Sequence, residues 1–144
     1  MKTSDFLTQL DDARIVAEIK KAEASTSGEI RVFVSPGEVD DPVAQAEKQF
    51  AELGMTNTRH RNGVLLYFAP ASQKFAVVGD TNIHAKGGPA FWNELIAEVR
   101  PLLKAGDFTG AVILSVQRAA LQLARHFPPE QDNRDELPNA IAGG

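Results

Sequence analysis

The strongest constraint on the fold is an uninterrupted apolar run near the middle of the chain, Val64-Leu65-Leu66-Tyr67-Phe68-Ala69. A strand with one exposed face alternates apolar and polar side chains, whereas this run is apolar at every position. It predicts a central strand that is covered on both faces. A chain of 144 residues is long enough to bury such a strand within one domain, without a metal or a disulfide.

Two further strands are predicted around this run. In the segment from Glu29 to Val34, the side chains of Ile30, Val32 and Val34 lie on one face, which is typical of a strand. The segment from Lys74 to Val78 follows the central run after the short turn Pro70-Ala71-Ser72-Gln73. A turn of this length predicts an antiparallel hairpin between the second and third strands. Segment 81–85 is the candidate for a fourth, short strand.

Four segments have the apolar spacing of helices. Thr8 and Asp11 form a short capping box before the first, and Asp41 followed by Pro42 is typical of the start of the second. Asp107 is in position to cap the last helix. The predicted helices span about residues 9–25, 42–53, 89–105 and 108–127.

A helix joins the first two strands, so these strands should lie parallel through a right-handed crossover. The predicted fold is therefore α/β, a small mixed β-sheet sandwiched by helices. We expect this domain over residues 8–127 and an acidic C-terminal tail over 128–144. The tail carries Glu130, Asp132, Asp135 and Glu136 against Arg134.

The composition excludes several classes of function. The chain has no cysteine, and therefore no disulfide scaffold, thiolate zinc site or cysteine nucleophile. Its net charge of −4 argues against nucleic acid as the main partner, because a backbone binder needs a dense basic face. No apolar run has the length of a membrane span and the first residues lack the pattern of a signal peptide, so we expect no membrane insertion and a cytoplasmic location.

The sequence contains no P-loop, dinucleotide glycine fingerprint or nucleophile elbow. Catalytic residues therefore stay unknown at this stage. Arg59-His60-Arg61 superficially resembles a histidine-phosphatase motif, but it precedes a strand instead of following one. A solvated basic loop and an anion-binding loop both fit this segment.

The loop after the third strand carries candidate metal ligands. Asp80 and Asn82 lie two residues apart, and their side-chain oxygens suit a cation that prefers oxygen, such as calcium. The same residues also suit an ordinary turn and helix cap. We expect His84 to be a structural or surface residue rather than a ligand.

Hairpin pairing should bring other polar residues to this loop. Asn62 at the start of strand two and Asp80 at the end of strand three must lie at the same end of the sheet, and Glu29 opens strand one there. Ligands of open α/β sheets usually bind at the opposite end, beyond the carboxyl ends of parallel strands. The polar residues expected at that second end are Ser35, Glu38, Asp40, Asp41 and Asp107, of which the last two also suit helix caps.

Five motifs, taken in order, resemble the TPM domain family: Thr26-Ser27-Gly28-Glu29-Ile30-Arg31-Val32, Asn62-Gly63-Val64-Leu65-Leu66-Tyr67, Phe75-Ala76-Val77-Val78-Gly79-Asp80, Phe91-Trp92 and Gly106-Asp107-Phe108-Thr109-Gly110. The resemblance covers about residues 8–141 and is greatest to a bacterial branch of stand-alone domains, one of which binds calcium. It implies a Rossmann-like sandwich and divalent-cation binding in some members. It also implies the acid phosphatase activity proposed for plant members, and an accessory role in membrane complexes for others.

Two positions depart from the family pattern. An acidic residue typically precedes Asn62-Gly63-Val64, and this chain has Arg61 there. The glycine-rich stretch that follows the third strand in the family is replaced by Asp80 to Lys86. Both departures lie at the end of the sheet where Asn62, Asp80 and Glu29 are expected.

We therefore expect a TPM domain that binds calcium or another divalent cation through side-chain oxygens. The predicted ligands are Asp80, Asn82, Asn62 and Glu29.

Two alternatives stay open. One is a metal-assisted acid phosphatase in which Arg59, Arg61 or Lys86 neutralises the substrate phosphate. The other is a ligand-free accessory or scaffold protein that docks a protein partner through its apolar helices and acidic tail. The sequence leaves the oligomeric state open.

Overall fold

The computed structural model describes residues 1–129 and 141–143. The helices of this part are α1 (Thr3–Thr8), α2 (Asp12–Ala24), α3 (Pro42–Glu52), α4 (Thr81–His84), α5 (Gly88–Lys104) and α6 (Phe108–His126). The strands are β1 (Ile30–Val34), β2 (Val64–Ala69), β3 (Lys74–Gly79) and β4 (Ile141–Gly143).

The strands form one mixed sheet in the order β3-β2-β1-β4. β1 and β2 are parallel, with Ile30 opposite Val64, which confirms the predicted crossover. β2 and β3 are antiparallel, with Val64 opposite Gly79, which confirms the predicted hairpin. β4 lies parallel to β1 on the other side.

Helices cover both faces of the sheet, as the apolar character of β2 predicts. Every residue of β2 is buried. Leu66 and Phe68 pack into the larger apolar core with residues of α2, α5 and α6, while Leu65 and Tyr67 pack into the smaller core that includes Phe50 of α3. β2 therefore contributes buried side chains to both cores, each worth about 1.5–3 kcal/mol when it is large, apolar and fully buried.

The prediction of a single first helix over residues 9–25 is wrong at its start. A separate helix that the sequence does not predict, α1, precedes this segment and ends at Thr8, and α2 begins only at Asp12. The Asp11 carboxylate accepts a hydrogen bond from the Arg14 backbone N–H (3.2 Å), so Asp11 caps α2. The Thr8 hydroxyl donates to the carbonyl of Ser4 within α1 and does not act as the predicted cap.

The prediction of a fourth strand at 81–85 is also wrong. Residues 81–84 form α4 because the Asp80 carboxylate accepts a hydrogen bond from the Thr81 N–H (2.7 Å) and starts a helical turn. The fourth strand is β4, at residues 141–143. The acidic residues predicted for the tail, Glu130, Asp132, Asp135 and Glu136, lie outside the described residues, as does Arg134.

Two predicted helix caps are confirmed. The Asp41 carboxylate accepts a hydrogen bond from the Ala44 N–H at the start of α3 (3.1 Å), and the Asp107 carboxylate accepts one from the Gly110 N–H at the start of α6 (3.0 Å).

Of the helices in residues 1–129, none combines the length and the apolar content that crossing a membrane requires.

Replacing Gly79 at the end of β3 with alanine should destabilise the protein. A Cβ at this position would lie 2.7 Å from Trp92 Cζ2 and 3.1 Å from Ile83 Cγ2, so the buried indole would have to move. We expect Gly79→Ala to lower the free energy of unfolding by about 1–3 kcal/mol in urea denaturation, as overpacked core positions do.

Gly37→Ala is the matched control, because a Cβ there would meet nothing within 4 Å. We expect its free energy of unfolding to stay within about 0.5 kcal/mol of the parent value. Equal stability of the two variants would contradict the packing around Trp92 described above.

Candidate functional site

Polar residues that flank three strands lie at the end of the sheet where β1 and β2 begin and β3 ends. The Asp80 backbone N–H donates to the Gly63 carbonyl (2.9 Å), and the Val64 N–H donates to the Glu29 carbonyl (2.8 Å). The hairpin therefore places positions 62 and 80 beside the paired ends of β2 and β3, at the same end of the sheet, as the sequence predicts. We call Glu29, Arg61, Asn62, Asp80 and Asn82 the polar corner.

Three members of the polar corner are buried although they are polar. Glu29 is 3% exposed, Asn62 is 1% exposed and Asp80 is 5% exposed. Buried polar groups are costly unless they are hydrogen-bonded or paired with an opposite charge. The neighbours of these side chains therefore determine what this end of the sheet can do.

Asp80 is paired with Arg61 through both carboxylate oxygens. Arg61 Nε donates to Asp80 Oδ2 (2.7 Å) and Nη2 donates to Oδ1 (2.9 Å). Oδ1 also accepts from the Thr81 N–H and caps α4. Two parallel charge-assisted hydrogen bonds of this kind fix the geometry of a pair more strongly than a single contact does.

The two partners differ in their access to solvent. The Asp80 side chain is 4% exposed, whereas that of Arg61 is 45% exposed. The hydrogen bonds from Arg61 to Asp80 and the negative charge of that carboxylate raise the pKa of the guanidinium above its usual value. Arg61 is therefore a charged, partly solvated side chain that covers a nearly buried carboxylate.

The backbone of the loop before β2 holds Arg61 in this position. Arg61 has a φ of 49°, in the left-handed region that non-glycine residues adopt uncommonly. Its carbonyl accepts a hydrogen bond from the Asn82 N–H (3.0 Å), and Asn82 Nδ2 donates to the His60 carbonyl (2.6 Å). The segment around Arg61 is thus tied to α4 from both its backbone and its side chain.

The two asparagines of the polar corner differ in burial. Asn62 is buried and its Nδ2 donates to Ser27 Oγ (3.4 Å), while Asn82 is exposed at the start of α4. Both amides donate through nitrogen, so the oxygen of each is the atom that can face a cation. His84 is exposed at the end of α4, and its ring lies against Gly88.

The donor atoms of the polar corner suit a cation that prefers oxygen, but their number is small. Within the part of the chain that the structure describes, no three acidic or histidine side chains are grouped closely enough to hold a metal ion. A cation here would depend on the Asp80 carboxylate, amide oxygens and water. It would also have to displace the Arg61 guanidinium from Asp80.

At the opposite end of the sheet, the acidic residues have structural roles or are exposed. Asp41 and Asp107 cap α3 and α6. Glu38 and Asp40 are exposed, and the Asp40 carbonyl accepts a hydrogen bond from Lys74 Nζ (2.8 Å). This end therefore offers helix caps rather than a set of convergent carboxylates.

The pairing of Arg61 with Asp80 is absent from the sequence-based hypotheses, which assign Arg61 to a solvated loop or to a substrate phosphate. The register of the β2–β3 hairpin is the feature from which this pairing could have been predicted. Because Gly63 lies opposite Asp80, an arginine two residues before Gly63 is close enough to reach that carboxylate.

Removing the guanidinium should destabilise the fold, since it leaves the nearly buried Asp80 carboxylate without its cation. We expect Arg61→Ala to lower the urea midpoint clearly, while Lys48→Ala, which removes an exposed cation from α3, leaves it almost unchanged. In a double-mutant cycle with Asp80→Ala, the two losses should be non-additive. Additive losses would show that the ion pair contributes nothing in solution.

Comparison with known proteins identifies the family. The model of the TPM domain matches residues 1–122. No curated protein matches the sequence. Among solved structures, the chain is similar to the BA42 protein from the psychrophilic bacterium Bizionia argentinensis, with 35% identity, 92% of each chain covered and a TM-score of 0.84. The chain described above, with its helix-covered mixed sheet, belongs to the TPM domain family.

Proposed function

We propose that the protein is a divalent-cation-binding TPM domain in which calcium competes with the Arg61 guanidinium for the Asp80 carboxylate. The observation that carries this proposal is the pairing of a carboxylate that is 4% exposed with a guanidinium that is 45% exposed. A nearly buried carboxylate requires a positive partner. Nothing in that requirement restricts the partner to an arginine.

The Arg61 guanidinium can move away from Asp80 into solvent. Its side chain is nearly half exposed, so a guanidinium that turns away from Asp80 enters water and is solvated there. A divalent cation would supply twice the charge at the same carboxylate. Asp80 therefore has a positive partner both before and after one cation replaces the other.

The remaining ligands would come from the neighbouring strand ends. Calcium takes six to eight oxygens in flexible geometry, and accepts carboxylates, amide oxygens and water together. Asp80, Asn62 and Asn82 would supply side-chain oxygens, and the buried Glu29 lies directly before the adjacent strand β1. With so few charged ligands and an internal competitor, we expect weak binding, with a Kd of about 0.1–1 mM.

Calcium titration with backbone amide NMR tests the proposal. Calcium should shift the amides of residues 62 and 79–86 saturably, because these residues surround Asp80. Arg61→Gln should bind calcium more tightly than the parent protein, since it removes the competitor but keeps a polar side chain. Asp80→Asn should lose the response.

Asp12→Asn is the matched control for Asp80→Asn, because Asp12 is an exposed acid on α2. It should titrate like the parent protein. The proposal fails if millimolar calcium leaves the amides of residues 62 and 79–86 unshifted, or if Asp80→Asn and Asp12→Asn bind equally well.

The phosphatase alternative has a different expected result. Arg61, which that hypothesis assigns to the substrate phosphate, donates to Asp80 instead. We therefore expect hydrolysis of p-nitrophenyl phosphate with calcium or magnesium, from acidic to neutral pH, to be no faster with the parent protein than with Asp80→Asn. Turnover that depends on Asp80 would replace the binding proposal with an enzymatic one.

A further inference from the structure

A second candidate site lies at the other end of the sheet, away from the polar corner. A cavity of about 590 Å³ opens where β2 ends and β3 begins, between α1 and the C-terminal half of α5. Pockets that bind small organic molecules have volumes of about 300–1,000 Å³. This cavity shares no residue with the polar corner.

Four phenylalanines line one wall of the cavity, and they contact one another. The ring of Phe6 lies 6.0 Å from that of Phe68 and 4.9 Å from that of Phe108, and the rings of Phe68 and Phe75 are 4.5 Å apart. Aromatic rings packed in this way form a stiff apolar surface. The wall therefore suits an apolar body rather than a polar one.

The opposite wall is one face of α5. Ile96, Arg100, Leu103 and Lys104 all line the cavity, and their spacing of four, three and one residues places them on the same side of the helix. Ile96 and Leu103 add apolar surface to that of the phenylalanines. Arg100 and Lys104 are exposed and bring two positive charges to the cavity.

These two cations are not committed elsewhere in the part of the chain that the structure describes. Within residues 1–129 neither Arg100 nor Lys104 forms an ion pair, whereas Lys74, the third cation of the cavity, donates through Nζ to the Asp40 carbonyl (2.8 Å). Among the described lining residues there is no aspartate or glutamate. The cavity is therefore apolar inside and positively charged along one edge.

We propose that this cavity binds an apolar molecule with one terminal carboxylate, of the medium-chain fatty acid class. The apolar body would lie against the partly exposed rings of Phe75 and Phe108, and the carboxylate would pair with Arg100 and Lys104. Charge complementarity selects this occupant, because a neutral molecule of the same shape leaves both cations unused and a cationic one is repelled.

Three probes with the same chain test the proposal on the full protein: decanoate, decanol and decylamine. We expect decanoate to shift the amides of α5 and of the β2–β3 turn saturably, with an affinity roughly tenfold above that of decanol, since a charge-assisted hydrogen bond contributes about 1.5 kcal/mol or more. Decylamine should bind more weakly than either.

A double variant separates the charge from the apolar wall. Arg100→Gln combined with Lys104→Gln changes only exposed side chains, and should reduce decanoate affinity to that of decanol while leaving decanol binding unchanged. Lys20→Gln, an exposed cation on α2, is the matched control and should bind like the parent protein. Equal affinity of the parent protein for decanoate and decanol would overturn the proposal, as would decanoate binding that the double variant retains or the absence of any shift.

Discussion

Backbone pairing between β2 and β3 is the interaction on which the polar corner depends. The hydrogen bond from the Asp80 N–H to the Gly63 carbonyl fixes the last rung of the hairpin, and it brings the loop that carries Arg61 beside the start of α4. The Asp80 carboxylate then has two tasks, since it caps α4 and neutralises Arg61. A change of register by one residue would move Asp80 to the other face of the sheet and remove both.

Much of this arrangement is predictable from local sequence. The apolar character of Val64 to Ala69 predicts a strand covered on both faces, and the short turn after it predicts the hairpin. The caps at Asp41 and Asp107 are predictable because a carboxylate before a helical pattern satisfies an otherwise unpaired N–H. Asp11 shows the limit, since a threonine and an aspartate three residues apart are both chemically able to cap, and in the structure Asp11 caps α2 while the Thr8 hydroxyl donates to a carbonyl within α1.

The features that escape prediction depend on contacts between distant segments. β4 is short, and its position beside β1 follows from tertiary pairing rather than from an apolar pattern of its own. The residue types of the segment after β3 are compatible with a loop or a strand. The Asp80 side chain caps this segment and thereby favours a helical turn. The role of Arg61 escapes prediction because its charge suggests solvent or a phosphate, whereas the hairpin brings it to a carboxylate nineteen positions along the chain.

If calcium displaces the Arg61 guanidinium as proposed, the two cations occupy the Asp80 carboxylate alternately. Exchange of the Arg61 Nε proton with water, followed by NMR with and without calcium, measures this most directly because that proton is hydrogen-bonded to Asp80 Oδ2 at 2.7 Å. We expect slow exchange in the calcium-free protein and a large acceleration as calcium saturates the polar corner. An exchange rate that calcium leaves unchanged, while the amides around Asp80 do shift, would contradict this displacement.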